Sequence, residues 1–203
     1  STRTEHPARF VLPPEAASHA LLTVPSTTTL TGRVDVRVTV ADTARRAGSV
    51  IALVHEVPDF SRGLVLSDLV IAPDEDVART RRGDIALPIA AGRQYRTGET
   101  FRLFYEVYGL EEGARYRTRI VLAPQRSRLW NALQRVTGSE PDVIALQFEE
   151  RAPAPHEVFG VQQLRNITTS SLGPGTYRLR IEVTDVENGR TTVRERLLDI
   201  HAR

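Results

Sequence analysis

The sequence predicts an all-β protein: tandem antiparallel β-sandwich domains, immunoglobulin- or fibronectin-III-like, with one short inserted helix. Three observations predict it. Apolar residues recur at every second position in several runs, Gly and Pro punctuate those runs, and the segment from Leu172 to Gly189 reads as a closing hairpin. In that segment Tyr177, Leu179, Ile181 and Val183 alternate with Arg178, Arg180, Glu182 and Thr184, so one strand face is buried and the other wet. Tyr177 follows Leu172-Gly173-Pro174-Gly175, the place where sandwiches of this class keep a tyrosine corner.

Residues 1–15 hold Pro7, Pro13 and Pro14 and little periodicity, which predicts an extended arm. A first sandwich is expected over residues 16–92. Strand signals run through Ala20 to Val24 and then Arg33 to Val40, where Val34, Val36, Val38 and Val40 alternate with polar residues. Val50 to Val57 and Leu64 to Ala72 are nearly continuous apolar runs, which predict strands covered on both faces or meeting another domain. The polar segment from Pro73 to Gly83 reads as an exposed loop before a strand at Ile85 to Ile89.

Thr97-Gly98 marks the expected junction, and a second sandwich is expected over residues 98–203. Phe101 to Tyr108 opens it. Tyr116 to Leu122 follows, with Tyr116, Thr118, Ile120 and Leu122 on one face and Arg115, Arg117 and Arg119 on the other. Leu129, Trp130, Leu133 and Val136 fall at helical spacing, predicting a helix at about 126–137 that Gly138 ends. Strands are expected again at Ile144 to Phe148 and Val161 to Thr169, on either side of a stiff Pro153 and Pro155 crossing. In the last strand Val193 and the pair Leu198 and Ile200 want opposite phases, which predicts a β-bulge near Glu195 to Leu197.

Composition excludes several classes. With no Cys there is no disulfide, thiolate nucleophile or Cys-ligated metal. All 27 basic residues are Arg, against 25 acidic ones, so the formal charge is only +2 and the pI of 9.4 implies no polyanion partner. No nucleic-acid-binding module is recognisable. No apolar run is long enough for a transmembrane helix, and no leader is present; a lost leader or anchor ahead of residue 1 stays open.

The five histidines (His6, His19, His55, His156 and His201) are scattered and lack metal-ligand spacing. Asp74, Glu75 and Asp76 share a loop but lack the remaining ligands of a calcium loop. Nucleophile-elbow, P-loop and dinucleotide motifs are absent, so no catalytic residue, cofactor or metal is expected. Asp59, Asp68 and Glu106 are carboxylates whose spacing sequence alone cannot set. Arg79, Arg81 and Arg82, and the strand face carrying Arg115, Arg117 and Arg119, suit anion contact or protection of a strand edge.

The segments Leu66-Ser67-Asp68-Leu69, Phe104 to Leu110, and Leu172 to Asp185 with Gly189-Arg190 resemble the C-terminal β-rich region of bacterial GWxTD-domain proteins, over most of residues 50 to 200. The segment that names that family is not in this chain. The resemblance implies an exported or envelope-associated protein and carries no catalytic residues over.

The function expected is therefore non-catalytic: an extracytoplasmic scaffold or accessory subunit, in the periplasm or cell envelope, that binds other proteins of a larger membrane-associated assembly. Trp130, Phe60, Phe159 and Tyr95 are the expected aromatic anchors, alongside Arg79, Arg81 and Arg82. For Trp130 a plug at an open sandwich end is the competing reading. Two other classes stay open. A carbohydrate- or peptide-binding module needs an exposed aromatic strip or a free sheet edge, and a hydrolase needs convergence around His55, Asp68 or Glu106.

Overall fold

The computed structural model describes residues 31–42, 46–74, 79–82, 85–88, 95–125, 143–153 and 160–203. Among these residues every regular element is a strand: β1 (Gly32–Asp42), β2 (Ala47–Val57), β3 (Val65–Leu66), β4 (Val70–Pro73), β5 (Arg79–Arg82), β6 (Ile85–Pro88), β7 (Tyr95–Arg96), β8 (Thr100–Tyr108), β9 (Arg115–Pro124), β10 (Ile144–Arg151), β11 (Val161–Thr168), β12 (Gly175–Asp185) and β13 (Thr191–His201). The protein is all-β there. The expected arm at 1–15, the strand at Ala20 to Val24 and the helix at about 126–137 lie outside the described residues.

The strands form four sheets: a five-stranded sheet in the order β10-β9-β12-β13-β7, a sheet of β11-β8-β3 with β4 also on β8, and the pairs β1-β2 and β5-β6. All pairings are antiparallel except the short β13-β7 contact. The two larger sheets contribute to one buried cluster. Phe101, Leu103, Tyr105 and Val107 from β8 meet Tyr116, Ile120 and Leu122 from β9 and Tyr177, Leu179, Ile181 and Val183 from β12. Alternation dictates this: in β12 Tyr177, Leu179, Ile181 and Val183 alternate with Arg178, Arg180, Glu182 and Thr184, and in β9 Tyr116, Thr118, Ile120 and Leu122 are buried while Arg115, Arg117 and Arg119 are exposed.

Pairing crosses the expected junction near residues 92 to 98. β3 and β4, which precede it, ladder onto β8, and Leu66, Leu69 and Ile71 belong to the same core as the C-terminal strands. The run Leu64 to Ala72 is also not one strand covered on both faces. Val65↔Tyr108 and Leu66↔Val107 hold one register and Val70↔Phe104 the next, so Ser67, Asp68 and Leu69 stand opposite only Tyr105 and Glu106. That extra residue is a bulge, and it switches the inward phase from Leu66 to Leu69 and Ile71. The Ser67 hydroxyl accepts from the Glu106 backbone N–H at 2.9 Å, and the Ser67 N–H donates to the Glu106 carbonyl at 2.9 Å, which keeps the break in the ladder satisfied.

Two further expectations are corrected. The segment from Pro73 to Gly83 is not all loop, because Arg79 to Arg82 pair with Ile85 to Pro88 as a short hairpin. No bulge interrupts the last strand: β12 and β13 keep one register from Gly175↔Ile200 to Thr184↔Thr191. Leu198 and Ile200 are buried, and the positions in phase with them nearer the turn are Arg194 and Arg196, opposite Ile181 and Leu179. Val193 sits across from Glu182 instead. Arg196 resolves the conflict by donating to the Leu69 carbonyl at 2.7 Å, so a cation that disrupts the apolar pattern ties β13 to the neighbouring sheet.

The largest departure is β2. The run Val50 to Val57 was expected to be covered on both faces or to meet another domain, yet among the described residues β2 pairs only with β1, and Val50, Ile51, Leu53 and Val54 are 50%, 57%, 46% and 57% exposed. Apolar residues on both faces require burial only if another layer is within reach. Among the described residues none lies against this hairpin along its length.

Candidate functional site

Two clusters of polar side chains flank β8, one on each face. On the core side, Tyr105 of β8 and Gln163 of β11 are register partners, as are Tyr116 of β9 and Glu150 of β10. Gln163 Nε2 donates to the Tyr116 hydroxyl at 2.7 Å, and Arg165 Nη2 donates to Glu150 Oε2 and Gln163 Oε1. The Arg165 guanidinium also lies 4.7 Å from the centre of the Phe148 ring. Each of these contacts except Arg165 to Gln163 joins one sheet to the other.

Burial pushes the Tyr116 hydroxyl well above its ordinary value, and the adjacent Glu150 carboxylate pushes it further. Burial raises Tyr105 as well, with the Thr118 hydroxyl and Arg165 pulling the other way. The hydroxyls of Tyr105 and Thr118 are buried without a hydrogen bond of normal geometry. A tyrosine held protonated beside a paired carboxylate and guanidinium is a rivet: it offers neither a nucleophile nor a base near neutral pH.

On the opposite face of β8, Glu106 is only 2% exposed. Its carboxylate accepts from the Tyr108 hydroxyl at 2.8 Å and from Gln162 Nε2 at 3.1 Å. Such donors compensate the loss of water around a carboxylate. His55 meets Asp68 at 3.5 Å, both largely exposed. Of the three residues on which a hydrolase reading would turn, His55 and Asp68 are brought together, while Glu106 is bonded to Tyr108 and Gln162. Asp59, the other carboxylate considered, is engaged by Ser61 and Arg62 in its own turn, and the Ser61 hydrogen bonds hold it below the usual carboxylate range. Asp74 pairs with Arg102 at 2.7 Å. Among the described residues no group of three or more His, Asp or Glu is arranged to hold a metal ion.

The outer face of the five-stranded sheet carries charge of both signs. Arg117 meets Glu149 at 3.4 Å, and Arg180 bridges Glu182 and Glu195 at 2.9 Å each. Arg119, Val121, Arg180 and Glu182 line a shallow, open groove there. Arg115 stands directly opposite Arg151 in the register, a like-charge pair that solvent screens.

The expected anchor residues scatter. Phe60 packs on Tyr108 with ring centres 4.6 Å apart, and Tyr95 on Phe101 at 5.4 Å, so both rings are half-buried within the molecule. Trp130 and Phe159 lie outside the described residues. The backbone of Arg79, Arg81 and Arg82 forms β5. The Tyr177 hydroxyl donates to the Gly173 carbonyl at 2.8 Å, four residues upstream, which is the bond that defines a tyrosine corner.

Sequence reasoning missed the exposed hairpin. Four of the six large apolar side chains that stand exposed among the described residues are on β2. The signal was in the sequence: Val50-Ile51-Ala52-Leu53-Val54 has no charge and no Pro, and β1, its neighbour, alternates strictly, so β2 carries more apolar surface than one partner strand can cover. Among the described residues no helix is long and apolar enough to cross a membrane. Compared with known proteins, the chain matches no protein-family model and no curated protein.

Proposed function

We propose that this chain is a non-catalytic docking subunit: an immunoglobulin- or fibronectin-III-like β-sandwich that presents the β1-β2 hairpin to protein partners in a larger envelope-associated assembly. The observation that carries it is the hairpin itself, eleven residues per strand, paired to nothing else among the described residues and apolar on both faces of β2. A two-stranded ribbon of this kind is marginal in water, and contiguous exposed aliphatic side chains mark interaction sites. The sandwich reading is supported by one core fed from two sheets and by the Tyr177 to Gly173 bond. The polar clusters support a non-catalytic role, since their groups are consumed in joining strands and sheets. An extracytoplasmic location, in the periplasm or envelope, follows from the resemblance to GWxTD-domain proteins.

The test is to isolate the native protein from gently solubilised membranes beside an Ile51→Asp/Leu53→Asp variant whose circular dichroism and melting temperature match the wild type. The wild type should bring down a defined envelope protein in fixed stoichiometry, and the variant should lose it. Wild-type protein recovered with no other protein would remove the docking reading.

A further inference from the structure

We propose that β2 pairs with β2 of a second copy of this chain, antiparallel, about a twofold axis passing between the two Ala52 residues. The inference rests on the reading of the hairpin as the docking element and names one occupant for it.

The pattern of β2 is symmetric about that residue. Val50 and Val54 lie two positions either side of Ala52, and Ile51 and Leu53 one position either side. All four are about half exposed. When two identical strands pair antiparallel across a twofold axis, residue i faces residue j and j faces i. With Ala52 at the axis, Ile51 faces Leu53 of the partner on one face of the new sheet, and Val50 faces Val54 on the other. Aliphatic residues then meet aliphatic residues on both faces, which is the complementarity that cross-strand pairs need. A shift of one or two positions breaks the match by setting His55 or Ser49 against an aliphatic partner.

Charge agrees with the same register. His55 falls opposite Ser49 and Glu56 opposite Gly48, so no like charges meet across the axis. The edge is competent for pairing, because β2 contains no Pro and, among the described residues, its only ladder is with β1. Two hairpins joined in this way make a four-stranded sheet, β1-β2-β2-β1, past the size at which a sheet becomes stable on its own. An eleven-residue strand with four half-exposed aliphatic side chains per copy puts the contact near the lower limit of specific interfaces, about 1,200 Å² in total. Association in the micromolar range is expected.

The chain has no Cys, so one introduced thiol reports geometry without background. Directly opposed residues in an antiparallel pair have Cα atoms about 4.5–5.5 Å apart, within disulfide reach. Full-length Ala52→Cys should therefore form a covalent dimer under mild oxidation. Val57→Cys, about 33 Å from its symmetry mate in this register, should not. Sedimentation equilibrium should show wild-type dimer, with Ile51→Asp weakening association on the order of 100-fold.

Wild-type protein that stays monomeric throughout the micromolar range, or equal cross-linking at positions 52 and 57, overturns the proposal, and the cysteine comparison holds even if Ile51→Asp unfolds the hairpin. A monomer that still captures an envelope protein through β2 defeats the homotypic pairing and leaves the docking role standing. A dimer with no other partner does the reverse.

Discussion

Asp185 shows how one residue closes an element. Its side chain has no exposure, and its carboxylate accepts from the backbone N–H groups of Glu187 and Asn188, from Asn188 Nδ2, and from Arg190 Nη2. Burial pushes this carboxyl up, but the bonds from Asn188, Arg190 and Glu187 outweigh it and hold the group at about 2, below an ordinary value of 3.8. A folded value lower than the unfolded one means the stabilisation is complete above the unfolded value and disappears as pH falls through the folded one. Thermal melts should therefore lose stability between about pH 4 and pH 2, and Asp185→Asn should flatten that dependence while costing about 1–3 kcal/mol at neutral pH. Tyr177→Phe removes one hydroxyl bond at 2.8 Å and keeps the ring, so calorimetry should find a loss of about 1 kcal/mol, or roughly 2–4 °C.

At the scale of elements, strand ends decide as much as strand interiors. Gly109, just past β8, has φ of +76°, and a Cβ there would lie 1.8 Å from the Gly63 carbonyl oxygen. Backbone meets backbone at that point, so nothing flexible can move aside. Gly109→Ala should cost about 2–4 kcal/mol in denaturant unfolding. Gly98→Ala, with φ of +86° but open space around it, should cost only about 1 kcal/mol. The bulge at Ser67 to Leu69 and the bond from Arg196 to the Leu69 carbonyl belong to the same scale, since each reconciles a strand whose residues do not alternate with a core that needs them to.

For the molecule as a whole, the two kinds of sheet should differ in stability. β9 and β12 are flanked on both edges and buried on one face, while β1 and β2 have only each other among the described residues. Hydrogen exchange followed by mass spectrometry on dilute protein should show β1 and β2 amides exchanging orders of magnitude faster than those of β9 and β12. Raising the concentration until copies associate should slow exchange in β2 more than in β8.

Strict alternation made β9 and β12 legible in the amino-acid order, down to which residues face inward, because a two-residue period translates directly into two faces. Tyr177 was legible for a similar reason: its bond reaches back only four residues. Tertiary structure alone decided the rest. Pairing of β3 and β4 with β8, the contact of Arg196 with Leu69, and the bond from Gln162 to Glu106 each join residues far apart in the chain, and no local pattern encodes a partner's distance. The exposure of β2 was hidden by the same limit. Hydrophobicity says that a strand needs cover, and only the assembled sheets reveal that the described chain leaves it uncovered.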